Sequence, residues 1–76
     1  MDDDDILARV RGLVAEEHAL RQAGVHDEER LRLAGLEAQL DQCWDLLRQR
    51  QALRASGGSP DSARARPVDE VESYLQ

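Results

Sequence analysis

The sequence contains no lysine and no phenylalanine, has only a single cysteine, and has few aromatic residues of any kind. Aromatic residues make up 3% of the chain, so its core must be aliphatic and built on Leu, Val and Ala. Strands are usually rich in β-branched and aromatic residues, so the scarcity of aromatic residues favours helices. The lone Cys43 excludes an internal disulfide bond. All ten basic residues are arginine, a bias to which we attach no functional weight.

No apolar run approaches the length needed to cross a membrane. The chain starts with Met1 followed by four aspartates, residues 2–5, which is the opposite of the basic start of a secretory signal. We therefore expect a cytoplasmic protein with no membrane segment. The net charge of −6 is unevenly distributed, with −7 over residues 1–47, +4 over residues 48–66 and −3 over residues 67–76.

Two apolar stripes with helical spacing organise the chain. The second stripe has spacings of three, four, three and four and consists of Leu33, Leu36, Leu40, Cys43 and Leu47. Such spacing is typical of a helix that packs against another helix. It predicts a helix over about residues 28–55, which ends before the Gly-Gly-Ser-Pro sequence at 57–60. The first stripe predicts a helix over about residues 4–23 that stops at Gly24.

The connection between the two predicted helices is short, and short connections join antiparallel neighbours. The predicted fold is therefore all-α: an antiparallel two-helix hairpin over residues 1–56, a mobile linker over 57–66 and a short C-terminal tail over 67–76, docked or free. This pairing places Arg48 and Arg50 beside the Asp2–Asp5 run. Two helices alone bury too little apolar surface for comfortable stability, so we expect a homodimer that forms a four-helix bundle.

Two groups of residues are predicted to carry packing or binding. The core and interface set is Ile6, Val10, Leu13, Val14, Leu33, Leu36, Leu40, Cys43, Trp44 and Leu47. Trp44 lies on the flank of the seam, and we expect it to contribute most to a helix or subunit interface. The second group is a candidate partner-binding element in the tail and consists of Val68, Val71, Glu72, Tyr74 and Leu75.

Other classes of site find little support. The Glu-x-x-His spacing of helical metal sites is absent, and we identify no catalytic, cofactor-binding or metal-binding motif. A two-helix hairpin offers no pocket in which a base could activate a nucleophile, so we expect no enzymatic activity. One alternative is a ligand-binding or redox-responsive bundle in which Cys43 and His18 of different subunits meet. Another is a regulator that contacts nucleic acid through the arginines of residues 48–66, although stacking aromatic residues are lacking.

Several segments together carry a family resemblance: Asp41-Gln42-Cys43-Trp44-Asp45-Leu46-Leu47-Arg48-Gln49-Arg50, preceded by Glu16-Glu17-His18 and followed by Arg66-Pro67-Val68 and Val71-Glu72-Ser73-Tyr74. They resemble the small actinobacterial proteins grouped as domain of unknown function 2630. The resemblance covers essentially the whole chain. It implies an intracellular actinobacterial protein, adds no catalytic residue, and implies that the segment from Val71 is an ordered or partner-binding element.

These observations lead to one functional expectation. We expect a non-enzymatic structural or adaptor protein that acts through protein–protein interaction, as a homodimer that presents its acidic faces and its tail to an unidentified protein partner. No cofactor, membrane or nucleic-acid partner is expected.

Overall fold

A computed structural model describes residues 2–24, 26–67 and 70–71. Helix α1 spans Asp3–Gln22 and helix α2 spans Asp27–Ala55. A single turn of 3-10 helix follows at Pro60–Ser62. The described residues contain no strand, and α1 and α2 pack side by side along their length. The fold is therefore the all-α antiparallel hairpin that the sequence predicts.

The aspartate run starts α1 by capping it. Asp5 donates its backbone N–H to Asp2 Oδ1 at 2.9 Å, and Asp2 donates its own N–H to Asp5 Oδ2 at 3.1 Å. This reciprocal arrangement is a capping box, and it satisfies backbone donors that the helix leaves free. The negative charges of the first turn also suit the positive end of the helix dipole. The helix ends before Gly24, whose φ of +96° turns the chain away.

Helix α2 begins one residue before the predicted bound at residue 28. His26 is the N-cap, with an extended backbone and no side-chain capping bond, and Asp27 is the first helical residue. The C-terminal end of α2 is closed by Gly57, which has a φ of +83° and donates its N–H to the carbonyl of Arg54 at 3.2 Å. Gly58 donates to the carbonyl of Leu53 at 2.7 Å, so the last turn is satisfied by backbone bonds.

The core lies in the seam between the two helices. Its buried members are Ile6, Val10, Leu13, Leu36 and Cys43, and the partly buried residues packed against them are Leu20, Leu40, Leu46 and Leu47. The set is aliphatic, as the composition requires. It is also small, because each helix contributes only one apolar stripe.

After α2 the chain turns back and runs beside that helix. The segment of residues 60–67, which we call the strap, comprises the 3-10 turn, Ala63 with an extended backbone, and four further residues without regular secondary structure. The carbonyl of Pro67 then accepts hydrogen bonds from the N–H groups of Glu70 and Val71, each at 3.1 Å. Val71 is fully buried. Within the described residues, no helix is long and apolar enough to span a membrane.

Candidate interaction surfaces

Arg50 joins three parts of the fold. It is buried, and its Nε donates to Asp3 Oδ1 at 2.6 Å, which links the start of α1 to the end of α2. Its Nη1 donates to the carbonyl of Pro60 at 3.2 Å and to Asp61 Oδ1 at 3.3 Å, which fixes the base of the strap. Arg54 completes the cluster with a 2.6 Å ion pair to Asp3 Oδ2. The helix pairing predicted from the sequence places Arg50 at this end of α1, and the structure agrees.

The cluster changes the acidity of its members. The hydrogen bond from Arg50, and then that from Arg54, hold the pKa of the Asp3 carboxyl below its ordinary value. The same contact with Asp3 raises the pKa of Arg50. The pKa of Asp2 is also lowered, first by the hydrogen bond that its carboxylate accepts from the backbone of Asp5. Asp2 and Asp3 are thus stabilised in their charged forms.

The strap is held on one side of α2 by polar contacts. Gln49 Nε2 donates to the carbonyl of Arg64 at 2.7 Å, and Gln49 Oε1 accepts from the N–H of Arg64 at 3.3 Å. Gln42 Nε2 donates to the carbonyl of Arg66 at 2.9 Å. The guanidinium of Arg66 lies 3.4 Å from Asp45 Oδ2, a carboxylate that is only 3% exposed.

An apolar surface lies on another side of the hairpin. Arg21 and Glu37 form an ion pair of 3.3 Å that joins α1 to α2 along one edge. Residues seven apart lie on nearly the same side of a helix, so Val14 follows Arg21 along this edge and Trp44 follows Glu37. Because the helices are antiparallel, Val14 and Trp44 lie at the same level. Their exposed fractions are 47% and 44%.

Further apolar side chains extend this surface. Leu7 continues the stripe of Val14 on α1, and Leu40 and Leu47 flank Trp44 at helical spacings of four and three. All three are partly buried. We call this surface, defined by Leu7, Val14, Leu40, Trp44 and Leu47, the Trp44 face.

A small apolar cavity lies between the helices and the strap. Its volume is about 260 Å³, and the described residues that line it are Ile6, Arg9, Gln39, Gln42, Cys43, Leu46 and Ala65. Arg9 donates to Gln39 Oε1 at 3.1 Å at its edge. No carboxylate or imidazole belongs to this described lining, so nothing there serves as a base for the thiol of Cys43.

The residues of the two alternative hypotheses lie in different environments. Cys43 is buried in the core, whereas His18 is exposed on α1 with its Nε2 3.1 Å from the side-chain amide of Gln22. Among residues 2–24, 26–67 and 70–71, no group of three metal-ligating side chains comes together. The arginines of the basic segment contact this chain's own groups, as described above for Arg50, Arg54 and Arg66; Arg48 is exposed.

The predicted core and interface set separates by burial. Ile6, Val10, Leu13, Leu36 and Cys43 are buried, Leu33, Leu40 and Leu47 are partly buried, and Val14 and Trp44 are half exposed. Of the predicted tail residues, Val71 is buried, and Val68, Glu72, Tyr74 and Leu75 lie outside the described residues.

Sequence reasoning missed the polar side of α2. Gln42, Asp45 and Gln49 have spacings of three and four, which place them on one side of the helix. This pattern could have been found as a polar stripe beside the apolar seam. Its backbone partners in the strap leave no pattern in the sequence.

Comparison with known proteins agrees with the resemblance. The sequence matches the family described as protein of unknown function DUF2630 over residues 2–76. It is 53% identical to an uncharacterized protein of Mycobacterium tuberculosis over 77 residues, covering 95% of this chain and 88% of the relative, and the same figures hold for an uncharacterized protein of Mycobacterium bovis. No solved structure matches the chain. The chain belongs to the DUF2630 family, whose function is unknown.

Proposed function

We propose that this chain is a non-enzymatic interaction protein that acts in the cytoplasm and self-associates through its Trp44 face to form a four-helix bundle. The observation that carries the proposal is the position of Trp44, half exposed beside Val14 on an edge of the hairpin that the described strap does not cover. Tryptophan is enriched at the centres of protein interfaces, because it buries a large area at little entropic cost.

Three features favour a second copy of the chain as the occupant. The described core is small for helices of this length, and dimerisation adds buried apolar surface without requiring another gene product. Leu7, Val14 and Trp44 are uncharged, so two identical faces can meet across a two-fold axis without burying like charges. The neighbouring Arg21 is paired with Glu37 at 3.3 Å and with Glu17 at 3.7 Å, so its positive charge at the rim of the face is compensated within the same chain.

The absence of a base beside Cys43 in the described cavity supports a role without catalysis. Interaction proteins need only complementary surfaces, and this fold offers two: the Trp44 face and the side of α2 that holds the strap. A buried free thiol also suits a reducing compartment, which supports the cytoplasmic assignment.

The experiment is sedimentation equilibrium of the full chain and of two variants. We expect wild type to sediment at about twice its 8.5 kDa mass and Trp44→Glu to sediment as a folded monomer. Leu31→Glu is the matched control, because Leu31 is 76% exposed and lies on a different side of α2. It should remain dimeric. A wild-type chain that is folded and monomeric at low micromolar loading would overturn the proposal.

A further inference from the structure

The contacts that seat the strap use groups that any extended peptide carries. One side-chain amide, that of Gln49, pairs with both the N–H and the carbonyl of Arg64, at 3.3 and 2.7 Å. Gln42 adds a 2.9 Å bond to the carbonyl of Arg66, two residues further along. Together these bonds hold backbone groups two residues apart, the spacing by which the edge of a sheet holds an added strand, and they are indifferent to side-chain identity.

Asp45 adds selectivity for a basic side chain. It is buried, it accepts a hydrogen bond from Gln49 Nε2 at 2.9 Å, and its Oδ2 lies 3.4 Å from Arg66 Nε. A buried carboxylate without a cationic partner is costly, so this position selects arginine. The side of α2 defined by Gln42, Asp45 and Gln49, which we call the reading face, therefore matches an extended segment with arginine two residues after the one that pairs with Gln49.

We propose that the reading face is a recognition surface for a partner-protein segment that places one arginine against Asp45, and that the strap is its intramolecular competitor. Charge complementarity supports a basic partner, since the carboxylate of the reading face, that of Asp45, is buried against a guanidinium. Arg64, Ala65 and Pro67 remain exposed while the strap is docked, and the contacts between the strap and the reading face are polar ones that a competing segment can replace. This proposal goes beyond self-association and does not depend on it, since the Trp44 face lies on a different side of α2.

Because the strap belongs to the same chain as the reading face, it limits the binding of a free peptide. A segment joined to the surface by a few residues competes at an effective concentration of about millimolar, so a free peptide binds strongly only after the strap is released. Gly57 and Gly58 stand at the point where the strap leaves α2, and the φ of +83° at Gly57 is one that a residue with a side chain rarely adopts. The contacts that must break to release the strap from the reading face are the Asp45–Arg66 ion pair and the hydrogen bonds of the Gln42 and Gln49 amides.

The test uses the full chain and a fluorescent peptide with the sequence of residues 60–67, followed by anisotropy. Arg66→Glu places a carboxylate against Asp45 and should release the strap, so that the variant binds the peptide about tenfold or more tightly than wild type does. Arg64→Glu makes the same charge change, but the Arg64 guanidinium donates to the carbonyls of Asp61 and Ala63 within the strap. This control should bind as wild type does.

Two further arms separate specific recognition from general attraction between opposite charges. Adding Asp45→Asn to Arg66→Glu should abolish the gain in affinity. A peptide of the same composition in which Ala65 and Arg66 exchange places, so that no arginine faces Asp45, should bind more weakly than the native order. Equal binding of the two peptides, or an Arg66→Glu variant that is folded by circular dichroism and binds no more tightly than wild type, would overturn the proposal. If Arg66→Glu does not fold, nuclear magnetic resonance of wild type with about millimolar peptide must shift the side-chain amides of Gln42 and Gln49; unshifted signals would refute it.

Discussion

Arg50 and Asp3 are 47 positions apart in the sequence, and their side chains meet at 2.6 Å. The contact closes the open end of the hairpin, where α1 begins and α2 is about to end. Since the same guanidinium also holds Pro60 and Asp61, the start of α1, the end of α2 and the base of the strap depend on one side chain. We expect these three elements to lose stability together when this contact is weakened.

Low pH should weaken the contact between Arg50 and Asp3. The pKa of Asp3 in the folded chain is lower than its ordinary value of 3.8, first because of Arg50. A carboxyl with a lowered folded pKa contributes stability that is present above its unfolded pKa and is lost as the pH falls through the folded one. Urea unfolding should therefore show stability falling below about pH 3.8, and Asp3→Asn should reduce the slope of that fall.

Asp4→Asn is the control for this measurement. Asp4 belongs to the same acidic run, is exposed, and has no ion pair within the part of the chain that the structure describes. It should leave the pH dependence close to that of wild type. Equal slopes for wild type and Asp3→Asn would show that the Arg50 contact does not stabilise the fold.

A second prediction concerns the packing of the core. Leu36 is 5% exposed, and Leu36→Ala should lower the free energy of unfolding by about 2–5 kcal/mol, because it removes buried methyl groups and leaves a cavity. Leu31→Ala makes the same chemical change at a side chain that is 76% exposed. It should change stability by less than about 0.5 kcal/mol. Urea denaturation at neutral pH measures both, and similar losses would contradict the burial pattern.

The sequence was sufficient to predict the hairpin. The stripe through Leu36, Leu40 and Cys43 predicts one helix, and Gly24 and Gly57 mark the ends of the two helices, because helical periodicity and glycine caps are local properties. The charge match between Arg50 and the acidic N-terminus also follows from the antiparallel pairing. The family resemblance, now confirmed, adds no function to this.

The strap contacts could not be predicted in the same way. Gln49 binds the backbone of Arg64, and every residue offers the same backbone groups, so the partner leaves no signature in the sequence. The sequence predicts a mobile linker over residues 57–66, because they are rich in Ser, Ala and Arg. In the structure, residues 60–67 lie along α2, held by polar side chains of that helix rather than by apolar residues of their own.

Two glycines should respond in opposite directions to the same substitution. Gly24 has φ of +96°, so Gly24→Ala is strained and should destabilise the fold by about 1 kcal/mol or more. Gly35 lies inside α2, and a Cβ built there meets nothing within 4 Å. Gly35→Ala should stabilise the fold by about 0.5–1 kcal/mol, since alanine favours the helix. Thermal unfolding of both variants tests the assignment, and a destabilising Gly35→Ala would indicate that this surface of α2 is covered in solution.

The labelling rate of Cys43 distinguishes a thiol that is packed in the core from a redox-responsive one. Its thiol is buried in the core beside an apolar cavity, whereas reactive cysteines are typically accessible to solvent. We therefore expect a thiol reagent such as Ellman's to label native Cys43 slowly and the urea-unfolded chain rapidly. Arg66→Glu, which should release the strap from the cavity that Ala65 lines, is expected to speed native labelling, whereas Arg64→Glu should not. Rapid labelling of wild type at neutral pH would favour a redox-responsive thiol over a packed one, and it would show that the strap leaves the cavity open.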